Sequence, residues 1–207
     1  MKIYDYRGFP NPARVRIALA EKNMTDRITF VTIDVPGGEH KRPAYLKKNP
    51  SGMVPALELE DGAVISECTA ITEYLDNLDG NPILTGRSPR ERAMIHMMQR
   101  RAEAGLLDAV GAYFHHATPG LGPEIEMYQN SAWGKHQGER AVTGMRYLDT
   151  VLSQRPYLAG DAFSMADITA YAGLSFADFA KIALPADLTH LKDWRSRIAA
   201  RPSVAAA

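Results

Sequence analysis

The chain has 207 residues, with 24 Lys and Arg against 24 Asp and Glu, so its formal net charge is zero. That length allows one large domain or two small ones, burying roughly 70% of the unfolded surface, and a neutral chain is not one that holds nucleic acid or an anionic membrane by bulk electrostatics. The single cysteine excludes an intrachain disulfide framework and a Cys-based zinc site, and no apolar run approaches the ~20 residues of a membrane helix.

Met1-Lys2-Ile3-Tyr4-Asp5 meets an acid before an apolar h-region can form, so no signal peptide and a cytoplasmic location are expected. Lys2–Asp5 reads as a brief strand. Pro12–Asn23 reads as a helix, with Val15, Ile17, Ala18 and Leu19 as an apolar stripe broken by Arg14, Arg16 and Glu21. Ile28–Asp34 is β-branched and apolar, a second strand, and Lys41–Asn49 a short polar helix ending at Pro50. Ala56–Leu59 and Ala63–Ile65 flank Asp61-Gly62, a dipeptide that tolerates the positive φ of a tight hairpin. Glu67–Leu78 is helical again. The first two strands, joined by a helix, should be parallel.

Gly80-Asn81-Pro82 and Thr85-Gly86-Arg87 mark a connector, beyond which no strand pattern occurs. Ser88-Pro89-Arg90-Glu91 is a capping box that opens a helix to about Phe114, stopped by Thr118-Pro119-Gly120. A second long helix is expected over about Pro123–Ser153, although Gly134, Gly138 and Gly144 weaken it. Ser164-Met165-Ala166-Asp167 caps a helix over Ala166–Ile182, and Leu188–Ala200 is the last.

The chain carries no G-x-S-x-G elbow, H-E-x-x-H pair, Walker-A loop or complete G-x-G-x-x-G. Gly120-Leu121-Gly122 is half of the last but follows a helix, and reads as a plain turn. His115 and His116 are adjacent and point about 100° apart on a helix, a poor metal chelate. The informative stretches are Ser51-Gly52-Met53-Val54-Pro55-Ala56-Leu57 and Ile65-Ser66-Glu67-Cys68-Thr69-Ala70-Ile71. A Pro opening a strand is either an ordinary trans residue or cis. In the second case the Val54 backbone is free to pair with an extended ligand. The N–H groups that open the following helix favour a carboxylate, with Glu67 beside them for an ammonium. Singly, each stretch reads as local structure, Ser66 an N-cap and Glu67 a dipole-compensating acid. Together they describe a receptor for an extended zwitterionic peptide.

Those stretches, with Pro12-Ala13-Arg14-Val15-Arg16-Ile17-Ala18-Leu19, Asn49-Pro50, Ser164-Met165-Ala166-Asp167-Ile168 and Arg201-Pro202-Ser203, resemble the cytosolic glutathione S-transferase family over essentially the whole chain. The resemblance implies an α/β plus all-α protein: a thioredoxin-like, glutathione-binding domain with a mixed four-stranded sheet over residues 1–80, a linker over 81–87 and a helical-bundle acceptor-substrate domain over 88–207. It implies glutathione as co-substrate, no metal, a small hydrophobic electrophile as second substrate and a homodimer, in detoxification-type conjugation. Carried across, Val54 and Pro55 would pair with the cysteinyl unit, Glu67 and Cys68 would hold the γ-glutamyl end, and His40 and Lys41 the glycyl carboxylate. Phe9, Tyr113, Phe114 and Trp133 are the expected apolar lining of an acceptor pocket, to which His116 also belongs.

The thiolate is the nucleophile of such an enzyme, and relatives stabilise it from a Tyr, Ser or Cys near the first strand. Here those positions fall at Ile3 and Pro10, neither a side-chain donor. The resemblance is therefore to the fungal and bacterial type that lacks the residue, in which a water is held by a His and a Ser one helical turn apart. His115 matches the His, Gly111 stands at the Ser position, and Asn11 is a further, weak amide donor. The dipole of the first helix supplies only ~0.3–1 kcal/mol. The alternative implied by the empty position is a non-catalytic module that binds glutathione or a partner.

Overall fold

The computed structural model describes residues 1–207 and divides into two units, Met1–Leu84 with Pro202–Ala207, and Thr85–Arg201. The first unit is built on strands β1 (Lys2–Asp5), β2 (Thr29–Thr32), β3 (Ala56–Glu58) and β4 (Val64–Ser66). They form a mixed sheet in the order β2-β1-β3-β4, with β1 parallel to β2 and antiparallel to β3, and β3 antiparallel to β4. The parallel β1–β2 pair is the one expected of a helical crossover. In the β3–β4 turn Gly62 takes φ +88° and the Asp61 carboxylate accepts the Ala63 N–H at 3.0 Å. Helices α1 (Pro10–Glu21) and α3 (Cys68–Asn77) complete a core of Ile3, Val15, Leu19, Leu57, Ile71 and Leu75, among others.

Helix α1 starts two residues before the expected Pro12, because Pro10 takes the first helical position, where its missing N–H costs nothing. It ends with Asn23 in the left-handed region at φ +52° and the Met24 N–H returning to the Leu19 carbonyl at 2.8 Å. The polar segment expected to be one helix over 41–49 is instead a 3₁₀ turn (Glu39–Lys41) and a single helical turn, α2 (Pro43–Leu46). Pro43 is the cause: it holds Arg42 extended, at ψ 150°. The C-terminal residues return to this unit through a short α9 (Pro202–Ala205), where the Ser203 hydroxyl meets the Glu21 carboxylate.

The second unit is helical. Helix α4 (Pro89–Ala102) opens on the capping box, with Glu91 N–H donating to Ser88 Oγ at 3.2 Å and Ser88 N–H to Glu91 Oε2 at 3.1 Å. A single π turn over Glu103–Leu107 carries it into α5 (Asp108–Ala117). Helix α6 runs over Ser131–Leu152, eight residues shorter at its start than the sequence pattern suggests. Asn130 caps it by accepting the Trp133 N–H at 3.0 Å, and the preceding segment is bound to α5 instead. The glycines of α6 do not interrupt it. A Cβ at Gly144 would lie 2.2 Å from the Gly105 carbonyl oxygen, at Gly134 2.7 Å from the Ala117 nitrogen and at Gly138 2.9 Å from the Tyr113 ring. They are where α6 packs backbone-close on the π turn and α5.

Helices α7 (Met165–Phe179) and α8 (Thr189–Ala199) meet at Asp167, whose carboxylate accepts from Leu158 N–H, Ser164 N–H, Ser164 Oγ and the indole of fully buried Trp194 at 3.0–3.1 Å. No helix is long and apolar enough to cross a membrane.

Candidate functional site

Sheet register alone brings three chain segments to one end of the first unit. Tyr4 pairs with Ala56 and Ala56 with Ser66. Because β3 runs against both neighbours, the exit of β1, the entry of β3 and the exit of β4 coincide. The first leads into α1, the second follows Val54-Pro55 and the third leads through Glu67 into α3.

The Val54–Pro55 bond is cis. Val54 is buried, yet its N–H and carbonyl take no hydrogen bond from the chain. The residues before it are held firmly: the Met53 carbonyl accepts from Tyr45 Oη at 2.6 Å and Asn49 Nδ2 at 2.8 Å, and the Gly52 carbonyl from Lys41 Nζ at 2.9 Å. Gly52 is needed there. It sits at φ +58°, and a Cβ would come 3.0 Å from the His40 carbonyl oxygen and 3.2 Å from Lys41 Nζ. His40 and Lys41 therefore lie directly against the segment that presents Val54. His40 is buried, and its Nδ1 has no hydrogen-bond partner. Burial, and after it the Lys41 cation, lower the imidazole below its ordinary value of about 6.5, so the ring is neutral at pH 7.

Glu67 rather than Ser66 is the N-cap of α3; Ser66 stays in β4. Glu67 holds φ +70° and ψ +120°, a conformation costly for a residue with a Cβ, and its exposed side chain does not cap the helix. Cys68 is buried, and its thiol donates to the Asn11 carbonyl at 3.4 Å, tying α3 to the start of α1. The Asn11 side-chain oxygen accepts from Arg14 Nη1 at 2.9 Å, which leaves its amide N–H₂ as the group with hydrogens to donate. Arg14 interrupts the apolar stripe in the sequence, yet it is buried, and no motif marked it as the residue that orients Asn11. Helix α1 is also a poorer anion site than its dipole suggests. Pro10 and Pro12 have no N–H and Ala13 donates to the Phe9 carbonyl, so Asn11 alone has a backbone donor to spare in the first turn.

The tyrosines nearest the first strand are occupied or packed. Tyr4 is buried and its hydroxyl donates to Glu58 Oε2 at 2.6 Å; the Lys48 ammonium, and after it that bond, hold the Glu58 carboxyl low. The Tyr6 ring packs on Phe9, centroids 4.8 Å apart. Ile3 is a core residue.

In the second unit, His115 and His116 end α5. His115 Nδ1 lies 2.7 Å from Glu126 Oε1, and His116 Nδ1 accepts the Asn130 N–H at 3.1 Å. Tyr113 packs on Gly138 of α6, and Trp133 is half exposed with its ring 6.2 Å from His136. Phe114 belongs to an aromatic cluster with Phe176 and Phe179, at 5.4 and 5.6 Å. The two α7 phenylalanines were not picked out from sequence; their only signal is a spacing of three on one helix face, which core residues share. No group of His, Cys, Asp or Glu side chains is placed to hold a metal ion.

Comparison with known proteins adds what geometry cannot. Residues 10–78 match the family model "Glutathione S-transferase, N-terminal domain" and residues 137–202 match "Glutathione S-transferase, C-terminal domain". The chain is 60% identical over 204 residues to Glutathione S-transferase 2 of Saccharomyces cerevisiae, covering 99% of this chain and 88% of that one. The crystal structure of yeast Gtt2 superposes with a TM-score of 0.98 at 59% identity, over 100% of this chain and 99% of the other. A glutathione S-transferase domain-containing protein of Marinobacter aquaeolei superposes at 0.96 with 60% identity, over 99% of this chain and all of the other.

Proposed function

The chain belongs to the glutathione S-transferase family, and from that premise we infer that it is a glutathione transferase, using glutathione as co-substrate and joining its thiolate to small hydrophobic electrophiles. The observation that carries the glutathione site is the free Val54 backbone, buried and held in place by Tyr45, Asn49 and Lys41 through its two preceding carbonyls. An extended peptide completes those hydrogen bonds as a short added strand. Pro55 fixes the presentation, the strained Glu67 receives the γ-glutamyl ammonium, Cys68 contributes its backbone, and Lys41 with His40 takes the glycyl carboxylate.

For the thiol, we assign Asn11 Nδ2 as a donor and His115 as the residue that holds a proton-accepting water, the arrangement of family members without a Tyr, Ser or Cys activator. Phe9, Tyr113, His116 and Trp133 are proposed for the acceptor pocket, with Phe114, Phe176 and Phe179 as further aromatic surface. Detoxification-type use, a cytoplasmic setting and a homodimer are proposed on family resemblance.

The engaged Tyr4 hydroxyl and the apolar Ile3 and Pro10 favour one alternative, a module that binds glutathione without turnover. Calorimetric titration of glutathione into the wild type and Glu67→Ala tests the shared premise. Affinity should fall at least tenfold in the variant, since a charge-assisted contact is worth about 1.5–3 kcal/mol. Equal affinity would remove Glu67, and with it the proposed orientation, from the site.

A further inference from the structure

The two histidines at the end of α5 have complementary partners, although they are neighbours in sequence. A carboxylate oxygen has lone pairs to offer, and Glu126 Oε1 already accepts the Leu121 N–H at 2.8 Å. Its 2.7 Å contact with His115 Nδ1 therefore requires the proton on Nδ1. A backbone amide has only its hydrogen to offer. The Asn130 N–H, 3.1 Å from His116 Nδ1, requires a lone pair there, and hence the proton of the neutral ring on Nε2.

We propose that the segment between α5 and α6 sorts His115 and His116 into opposite tautomers, so that His115 presents Nε2 as a proton acceptor and His116 presents Nε2–H as a donor, with Glu126 the positioning residue for His115. Neither Nε2 takes a hydrogen bond from the chain. The catalytic consequence rests on the role given to His115 above; the tautomers do not.

The segment is built around this contact. The Glu126 side chain is only 9% exposed. Gly120, at φ +59°, admits it: a Cβ there would stand 2.2 Å from Glu126 Oε1. The half phosphate fingerprint Gly120-Leu121-Gly122 thus wraps an internal carboxylate. Gln129 Nε2 bridges the His115 and Thr118 carbonyls at 2.7 and 2.8 Å, and Thr118 Oγ1 both donates to the Phe114 carbonyl and accepts the Gly120 N–H. Phe114 packs edge-on to the His115 ring at 5.1 Å. A histidine oriented by a carboxylate on Nδ1, with Nε2 outward, is the arrangement in which an imidazole accepts a proton from a nucleophile or its water.

Imidazole nitrogen NMR of ¹⁵N-histidine-labelled protein at about pH 8, where imidazole is neutral, tests this directly, with His115→Ala and His116→Ala identifying the signals. The wild type should show His115 protonated on Nδ1 and His116 on Nε2. Glu126→Ala should move His115 to the Nε2–H form, and Glu126→Gln, whose carbonyl oxygen still accepts, should keep it on Nδ1. His115 found as Nε2–H in the wild type, or unchanged in Glu126→Ala, overturns the proposal; the wild-type spectrum decides even where the alanine variant does not fold. In conjugation assays Glu126→Ala should lower kcat at least tenfold with KM for glutathione within twofold, and Glu126→Gln should recover most of the loss. A switched tautomer with unchanged kcat upholds the sorting of the two rings and removes His115 from catalysis.

Discussion

The Cys68 thiol donates to the Asn11 carbonyl at 3.4 Å, so the only cysteine of the chain links the first turn of α3 to the first turn of α1. Its hydrogen is spent inside the protein, and what it offers a ligand is backbone. Cys68→Ser, which keeps a donor of similar size, should bind glutathione within about twofold of the wild type. Cys68→Ala should lose about 1 kcal/mol of stability, the cost of one hydrogen bond and a small volume. Chemical denaturation beside glutathione titration separates the two, and a large affinity loss in Cys68→Ser would show that the side chain itself binds.

His40 makes the acid limb of stability predictable. Its folded-state pKa is lowered by burial and by Lys41, so below the ordinary value near 6.5 the unfolded chain binds the proton more readily than the folded one. The contribution is present above about pH 6.5 and is lost as the pH falls through the folded value. Urea denaturation of the wild type and His40→Gln should give stability curves that converge on acidification over that window. Parallel curves would remove His40 as a titrating group.

How much of this was legible in the sequence varies with the physics involved. The parallel pairing of the first two strands, the Asp61-Gly62 hairpin and the Ser88 capping box follow from local chemistry and chain connectivity and stand as expected. The glycines of α6 misled because propensity favours breaking a helix there, whereas α6 needs them for backbone contact with Gly105 and Ala117. The segment 123–130 reads as helical in the sequence because its partners at the end of α5, His115, His116 and Thr118, lie more than ten residues away and are invisible to periodicity. The contacts of Arg14 and Glu126 are invisible in the sequence for the same reason: each acts by holding another side chain.

Asp167 carries the second unit's most concentrated polar contact. Burial pushes its carboxyl up to about 6, against the pull of Leu158, Trp194 and Ser164. A raised value means that its contribution is fully present below about pH 4 and declines as the pH rises through 6. The stability advantage of the wild type over Asp167→Asn should therefore shrink between about pH 4 and pH 6. Asp167→Ala, which abandons buried donors, should cost roughly 3–4 kcal/mol. An advantage that grows with pH would show that the donors, not desolvation, dominate.

Two glycines should respond oppositely to alanine. At Gly144 the new Cβ meets the backbone of Gly105 at 2.2 Å, which no rotamer relieves. Gly144→Ala should be severely destabilised, by about 3 kcal/mol or more. At Gly111 the nearest atom is a Phe176 ring carbon at 3.6 Å, ordinary contact, and Gly111→Ala should gain about 0.5–1 kcal/mol from helix propensity. Thermal unfolding of both variants checks the contrast; equal shifts would mean that the α6 contact yields.

The most direct test of the transferase assignment is an ultraviolet difference titration of bound glutathione thiolate against pH, run with a conjugation assay on a generic aryl halide. A thiol pKa held well below the free value of about 8.5, together with turnover, is the expected result for an enzyme that activates the thiol without a Tyr, Ser or Cys. Tight binding with an unshifted thiol and no turnover would contradict it and leave a glutathione-binding module.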